Sequence, residues 1–190
     1  MPSQITCKER VLDELIAIYD GRASGRYGLS LINQRAHAVQ SGTLARAQGL
    51  SASLVTAALL HDIGHMVHDL GEHPAAIGVD DHHELTGSAW LKCYFGPDVT
   101  EPVRLHVAAK RYLCTVDSQY LGRLSGDSIE SLALQGGPMV DREVTAFTRE
   151  PHWEAAVTLR RIDELAKDPE APMPNFGDFA WEILQAVDVR

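Results

Sequence analysis

The chain has 190 residues, 45% of them hydrophobic and 23% charged, a balance that supplies a packed core and excludes intrinsic disorder. Seventeen Lys and Arg against 26 Asp and Glu give a net charge of -9, which excludes a protein whose main work is gripping a nucleic-acid backbone. No stretch reaches the roughly 18 apolar residues of a membrane span and the N-terminal segment lacks a signal-peptide core, so the expectation is one cytoplasmic domain, residues 1–190, with Cys7, Cys93 and Cys114 as buried free thiols.

Helical periodicity runs through nearly the whole chain. Val11, Leu12, Leu15, Ile16 and Tyr19 recur at three- and four-residue steps behind Thr6 and Glu9, which have capping-box spacing, and predict a helix over about 7–20. A second is expected from Asn33 to about Gln48, ended by Gly49, and a third from Ser53 to about His68, where LVTAALL leads into HDIGH. Residues 71–81 read as a loop. His83 to Phe95 reads as a helix stopped by Gly96-Pro97, and Thr100 opens the next with Pro102 in its first turn. Short helices follow over 117–124 and 128–135, then longer ones over 142–149, 151–167 and 178–187. No run alternates with period two for long enough to make a strand, so the class is all-α.

Nine histidines in an acidic chain are unusual, and seven of them lie between positions 61 and 106. His61-Asp62 follows an apolar stretch that belongs in the core, where a carboxylate beside an imidazole is costly unless a cation compensates it. His61 and His65, four apart, should share one helix face. His37 stands on an earlier helix, His82-His83-Glu84 opens a later one, His106 lies in the next and Asp163 on the long helix near the C-terminus. Imidazoles and carboxylates without thiolates suit iron, manganese or zinc, and six such ligands exceed what one ion needs. Asp62 is the member that could bridge two cations. Adjacent residues on a helix diverge by about 100°, so only one of His82 and His83 can face a metal squarely. Lys110, four beyond His106, should enter the same cavity, and Arg160, three before Asp163, should do likewise; together they suit an anionic substrate. His68, His73 and His152 fit no pattern.

The order His37, His61-Asp62, a later His, His106, Asp163 resembles the HD-domain superfamily of helical metalloproteins. More narrowly, HDIGHxxHD, the HExxG of His83 to Gly87, HVAAKRYLC from His106, SLxLQGGPM ending at Met139 and RRxD from Arg160 to Asp163 resemble the mixed-valent diiron oxygenases that cleave the C–P bond of 1-hydroxyphosphonates, over about residues 27–165. The resemblance implies an HD helical bundle around two iron ions, Fe(II)/Fe(III), held by His37, His61, Asp62, His83, His106 and Asp163, with O2 as co-substrate. It selects His83 over His82, because the family's ligand is followed by Glu. It makes Asp62, His65 and Lys110 the catalytic candidates and adds His65, Ser128 and Gln135 to Lys110 and Arg160 as phosphonate contacts, with Ser125 an alternative to Ser128. Tyr27 matches a tyrosine that occupies an iron position until substrate displaces it.

In that family a glutamate follows the tyrosine and receives a primary ammonium; here Leu29-Ser30 stands in its place. A trimethylated ammonium has no N–H to satisfy, and a one-carbon hydroxyphosphonate has no cation to hold, so either would tolerate the change. The substrate implied is 1-hydroxy-2-(trimethylammonio)ethylphosphonate or its primary-amine counterpart, giving phosphate with betaine or glycine, downstream of a hydroxylase. The rival readings are a metal-dependent HD phosphohydrolase acting on a nucleotide or other phosphate ester, and a metal-stabilised scaffold without activity. No nucleic-acid or membrane partner is implied.

Overall fold

The computed structural model describes residues 6–26, 29, 31–67 and 78–188, which form ten α-helices and three short 3-10 turns. Its β content among these residues is one isolated antiparallel bridge between Phe95 and Val187. The architecture is all-α. Helix α1 (Cys7–Gly21) begins with the capping box its sequence predicts: Glu9 N–H donates to Thr6 Oγ1 at 3.2 Å and Thr6 N–H to Glu9 Oε2 at 2.7 Å. Asn33 caps α2 (Gln34–Ala47) through its Oδ1, which accepts from Ala36 N–H at 2.9 Å.

The third predicted helix divides in two. Helix α3 (Ala52–Leu60) ends at His61, a turn covers 61–63, and α4 (Gly64–Val67) follows. Val55 through Leu60 are all buried, as expected of a helix apolar on every side. His61 and His65 therefore do not share a helix face. Just past the break the packing demands glycine: a Cβ at Gly64 would lie 1.9 Å from the carbonyl oxygen of His83 on α5 (His83–Leu91). Gly87 meets the same junction from the other side, its Cβ position 3.0 Å from Gly64 N. Two missing side chains let α4 and α5 meet backbone to backbone.

Pro97 opens α6 (Pro97–Val116) at its first position, where its missing N–H costs nothing, so the segment expected to interrupt the chain starts a 20-residue helix that carries Pro102 in its second turn. Helices α7 (Gly126–Leu134), α8 (Asp141–Phe147), α9 (Trp153–Leu165) and α10 (Ala180–Ala186) complete the set. The predicted helix over 117–124 is only a 3-10 turn at Leu121–Arg123.

The largest core cluster joins α1, α2, α3, the starts of α6 and α10, and Leu159 and Ile162 of α9. A second set, Leu105, Ala109, Met139, Phe147 and Ala156, seals α6 against α8 and α9. Helix α6 thus serves as the spine between both. No helix among the described residues is long and apolar enough to cross a membrane. The cysteines are free, but Cys7 and Cys93 are exposed and Cys114 is half-buried, against the expectation of buried thiols; Cys7 is the first residue of α1 and Cys93 sits in the turn after α5.

Candidate metal centre

Five helices deliver histidines and carboxylates to one point between them. His37 comes from the first turn of α2, His61 and Asp62 from the end of α3, His83 from the first position of α5, His106 from the middle of α6 and Asp163 from α9. All but Asp62 are buried, and Asp62 is mostly so.

The hydrogen bonds of the imidazoles fix which nitrogen points inward. His37 Nδ1 lies 2.8 Å from Ala166 O, His61 Nδ1 2.8 Å from Ala58 O, His106 Nδ1 2.7 Å from Val103 O and His83 Nδ1 2.9 Å from Asp81 Oδ1. These oxygens can only accept, so each Nδ1 carries a hydrogen and each neutral ring presents a lone pair at Nε2. The Nε2 atoms then meet in pairs, His37 with His61 at 3.1 Å and His83 with His106 at 3.1 Å. Were both rings of a pair neutral, lone pairs facing at that distance would repel; a proton on one ring or a metal cation between the two relieves this.

Asp62 lies between the two pairs. Its Oδ2 is 3.6 Å from His37 Nε2, while its Oδ1 is 3.4 Å from His61 Nε2, 3.6 Å from His83 Nε2 and 3.8 Å from His106 Nε2. Asp163 closes the first pair only, with Oδ1 3.2 Å from His37 Nε2 and 3.8 Å from His61 Nε2. Two metal-capable groups result, His37 with His61 and Asp163, and Asp62 with His65 and His83, the donor atoms within each lying inside 4.8 Å of one another. Nitrogen and oxygen donors without thiolate fit first-row transition ions.

The charges respond to this crowding. Burial opposes ionisation of Asp62, but the surrounding histidines hold its carboxyl well below the usual carboxylate range, and Arg160 and Lys167 do the same for Asp163. Burial lowers the His83 pKa, and the Asp81 hydrogen bond with the Asp62 and Asp81 charges reverses this, raising it to about 9. His106, buried against His83 and His61, is pushed well below the usual histidine value.

A cavity of about 340 Å³ opens on the centre. His65, Lys110, Ser128, Gln135 and Arg160, the predicted substrate contacts within the described residues, all line it. Lys110 is buried with Nζ 2.9 Å from Ser131 Oγ, and burial plus the Arg160 charge brings its pKa down to about 7. Arg160 donates from Nε to Tyr120 OH at 2.8 Å and from Nη2 to Ser128 Oγ at 3.0 Å, and it also binds Asp163 and Glu164. It therefore steadies a proposed metal ligand while facing the cavity. Ser125 is the N-cap of α7 and Ser128 the buried residue on the cavity wall, which separates the two serines. His82 is exposed and His83 buried in the centre. His152 lies away on the surface side near Asp98. Tyr27, Gly28, Ser30, His68 and His73 lie outside the described residues.

Four contributors were missed by the sequence reading. Gln34 donates to Asp62 Oδ2 at 3.1 Å and stands three before His37; Lys167 stands four beyond Asp163 with Nζ 3.0 Å from Ser128 Oγ and lines the cavity. The step that led from His106 to Lys110 could have found both. Glu164, adjacent to Asp163, gathers Arg160, Lys167 and Ser128, and Asp81 joins His65 to His83; no spacing rule marks either.

Fold and site together define a helical protein with a metal-capable histidine-aspartate centre beside a cationic pocket. Over 178 residues, 94% of this chain and 91% of the relative, the sequence is 35% identical to the [1-hydroxy-2-(trimethylamino)ethyl]phosphonate dioxygenase (glycine-betaine-forming) of Leisingera caerulea. Over 160 residues, 83% of this chain and 79% of the relative, it is 41% identical to the hydroxymethylphosphonate dioxygenase of Gimesia maris. The chain belongs to this family of HD-domain phosphonate dioxygenases. An uncharacterized protein of Acanthamoeba polyphaga mimivirus is 27% identical over 158 residues, and no family model matches the chain. Nothing in these relatives favours the phosphohydrolase reading.

Proposed function

We propose that this chain is a diiron, O2-dependent oxygenase that splits the C–P bond of a 1-hydroxy-2-(trimethylammonio)ethylphosphonate or 1-hydroxy-2-aminoethylphosphonate type substrate, releasing phosphate and betaine or glycine. The observation that carries this reading is the pair of facing Nε2 contacts with Asp62 between them, set against a pocket of buried cations. The overall change balances without a further reductant: R–CH(OH)–PO3 2− plus O2 gives R–COO−, HPO4 2− and H+.

His37, His61 and Asp163 would hold one iron, His83 and His106 the other, and Asp62 would bridge. Bound there in the mixed-valent state, the irons supply the redox chemistry that lets O2 take electrons from C1. The rest falls to the polypeptide. Gln34 fixes the Asp62 carboxylate, the backbone carbonyls of Ala58, Val103 and Ala166 hold three rings in register, and Arg160 holds Asp163. Lys110, Lys167 and Ser128 receive the phosphonate oxygens, and His65 meets the same group from the α4 side, so C1 is presented to the centre in one orientation. Leu29, buried at the cavity wall, offers the amine end an apolar contact where an acid would suit N–H donors. Because the substrate carries a C1 hydroxyl, a hydroxylation of the parent phosphonate must precede this step.

The test is direct. Protein isolated without chelator is analysed for iron and supplied with the two substrates under O2; phosphate release that requires O2 supports the reading. Phosphate release from a phosphate ester under argon, with none from the phosphonates, would refute it.

A further inference from the structure

Asp81 is absorbed by none of the roles above, yet it is one of the most engaged carboxylates in the chain. Its side chain is buried to all but 7%, in the segment just before α5. Oδ1 accepts from the His83 ring at Nδ1 (2.9 Å) and from the His83 backbone N–H (3.3 Å), while Oδ2 lies 2.6 Å from His65 Nδ1. The two imidazoles are stacked, with centroids 3.9 Å apart and planes 20° from parallel. One carboxylate thus sets two rings with different work: His83, whose Nε2 meets His106 and Asp62, and His65, which lines the substrate cavity.

We propose that Asp81 is a positioning residue that couples the second metal site to the phosphonate pocket, fixing His83 as a ligand and His65 as a substrate contact through its two oxygens. The inference rests on the functional reading above, in which His83 binds metal and His65 touches substrate. An ionised carboxylate accepts at both oxygens, so both rings keep their hydrogen on Nδ1 and leave Nε2 facing its task. Because the rings are stacked, a rotation of either must displace the other.

Asp81→Asn makes the coupling testable, since the amide keeps one acceptor oxygen and replaces the other with an N–H2 donor. One ring then faces a donor with its own donor and must turn or move its hydrogen to Nε2. Metal-loaded parent, Asp81→Asn, Asp81→Glu, His65→Ala and His83→Ala are dialysed against graded chelator, retained metal is measured, and KM for the 1-hydroxyphosphonate is determined with iron in excess. Loss of such an outer carboxylate typically costs 10- to 100-fold in metal affinity. Asp81→Asn should therefore release one metal equivalent at about 10- to 100-fold less chelator and also raise KM. His65→Ala should raise KM while retaining metal as the parent does, and Asp81→Glu, with two acceptor oxygens, should recover part of the chelator resistance. If Asp81→Asn does not accumulate as folded protein, Asp81→Ser takes its place with the same two readouts. Parental metal retention in the Asn or Ser variant, or a change in only one of the two readouts, would overturn the coupling. His83→Ala with both metals retained would instead show that the functional reading beneath it is wrong.

Discussion

At Lys110, the proposed phosphonate contact, two opposed demands would meet: the ammonium is buried on the cavity wall, where an anion would need its charge, and burial beside Arg160 lowers its pKa to about 7. The charged form exists below that pKa, so kcat/KM for a phosphonate should fall as pH rises through about 7. A bound anion favours the ammonium, which moves the corresponding limb of kcat to higher pH. Lys110→Arg, always charged, should remove the limb, and comparison of the two pH profiles checks this. Lys110→Ala should keep its metal but lose roughly 1.5–3 kcal/mol of charge-assisted binding, about ten- to a hundredfold in apparent affinity; unchanged KM and rate would take Lys110 out of the pocket. At the amine end, Leu29 on the cavity wall leads us to expect the trimethylammonio substrate to be turned over at least as well as the primary amine, with Leu29→Glu shifting the preference toward the amine. Relative kcat/KM for the two substrates decides it. Lys110 and Arg160 were legible because each stands one helical turn from a proposed ligand; Asp81 was not, because its reach to two rings depends on a turn that has no period.

Among the elements, the junction of α4 with α5 departs most from its sequence. LVTAALL followed by HDIGH predicts one continuous helix, yet the chain turns at 61–63, and that turn is what sends His61 toward His37 and leaves His65 stacked on His83. Periodicity could not reveal it, since the apolar pattern runs unbroken through the turn and the close fit beside it is to a backbone on another helix: the His83 carbonyl occupies the place of a side chain at Gly64. Gly64→Ala should accordingly push α5 outward and carry His83 with it. Overpacking against backbone costs on the order of 1–3 kcal/mol, and here the displaced residue is a proposed ligand, so we expect a lower melting temperature together with loss of one metal equivalent. A variant with parental melting and metal content would show that the contact relaxes without moving the centre. The capping pair Thr6 and Glu9 and the start of α2 at Asn33, by contrast, are local in sequence and appear where local rules place them.

For the molecule as a whole, the helical class could be read from the chain because an all-α fold keeps periodic signals intact, and His37, His61-Asp62, His106 and Asp163 stood out as candidate ligands because buried imidazoles and carboxylates call for compensation, whereas the choice of His83 over His82 came from the family resemblance. The convergence of five helices on Asp62 could not, as it depends on long-range packing of α3, α6 and α9. If Asp62 bridges two ions, Asp62→Ala should leave at most one metal per chain, whereas two retained with normal turnover would place the bridge elsewhere. The central claim, oxidative C–P cleavage at this centre, is tested most directly by following O2 consumption and phosphate release together in iron-loaded protein given 1-hydroxy-2-(trimethylammonio)ethylphosphonate. The account predicts one phosphate released for each O2 consumed, and neither under argon; phosphate released at the same rate without O2 would contradict it.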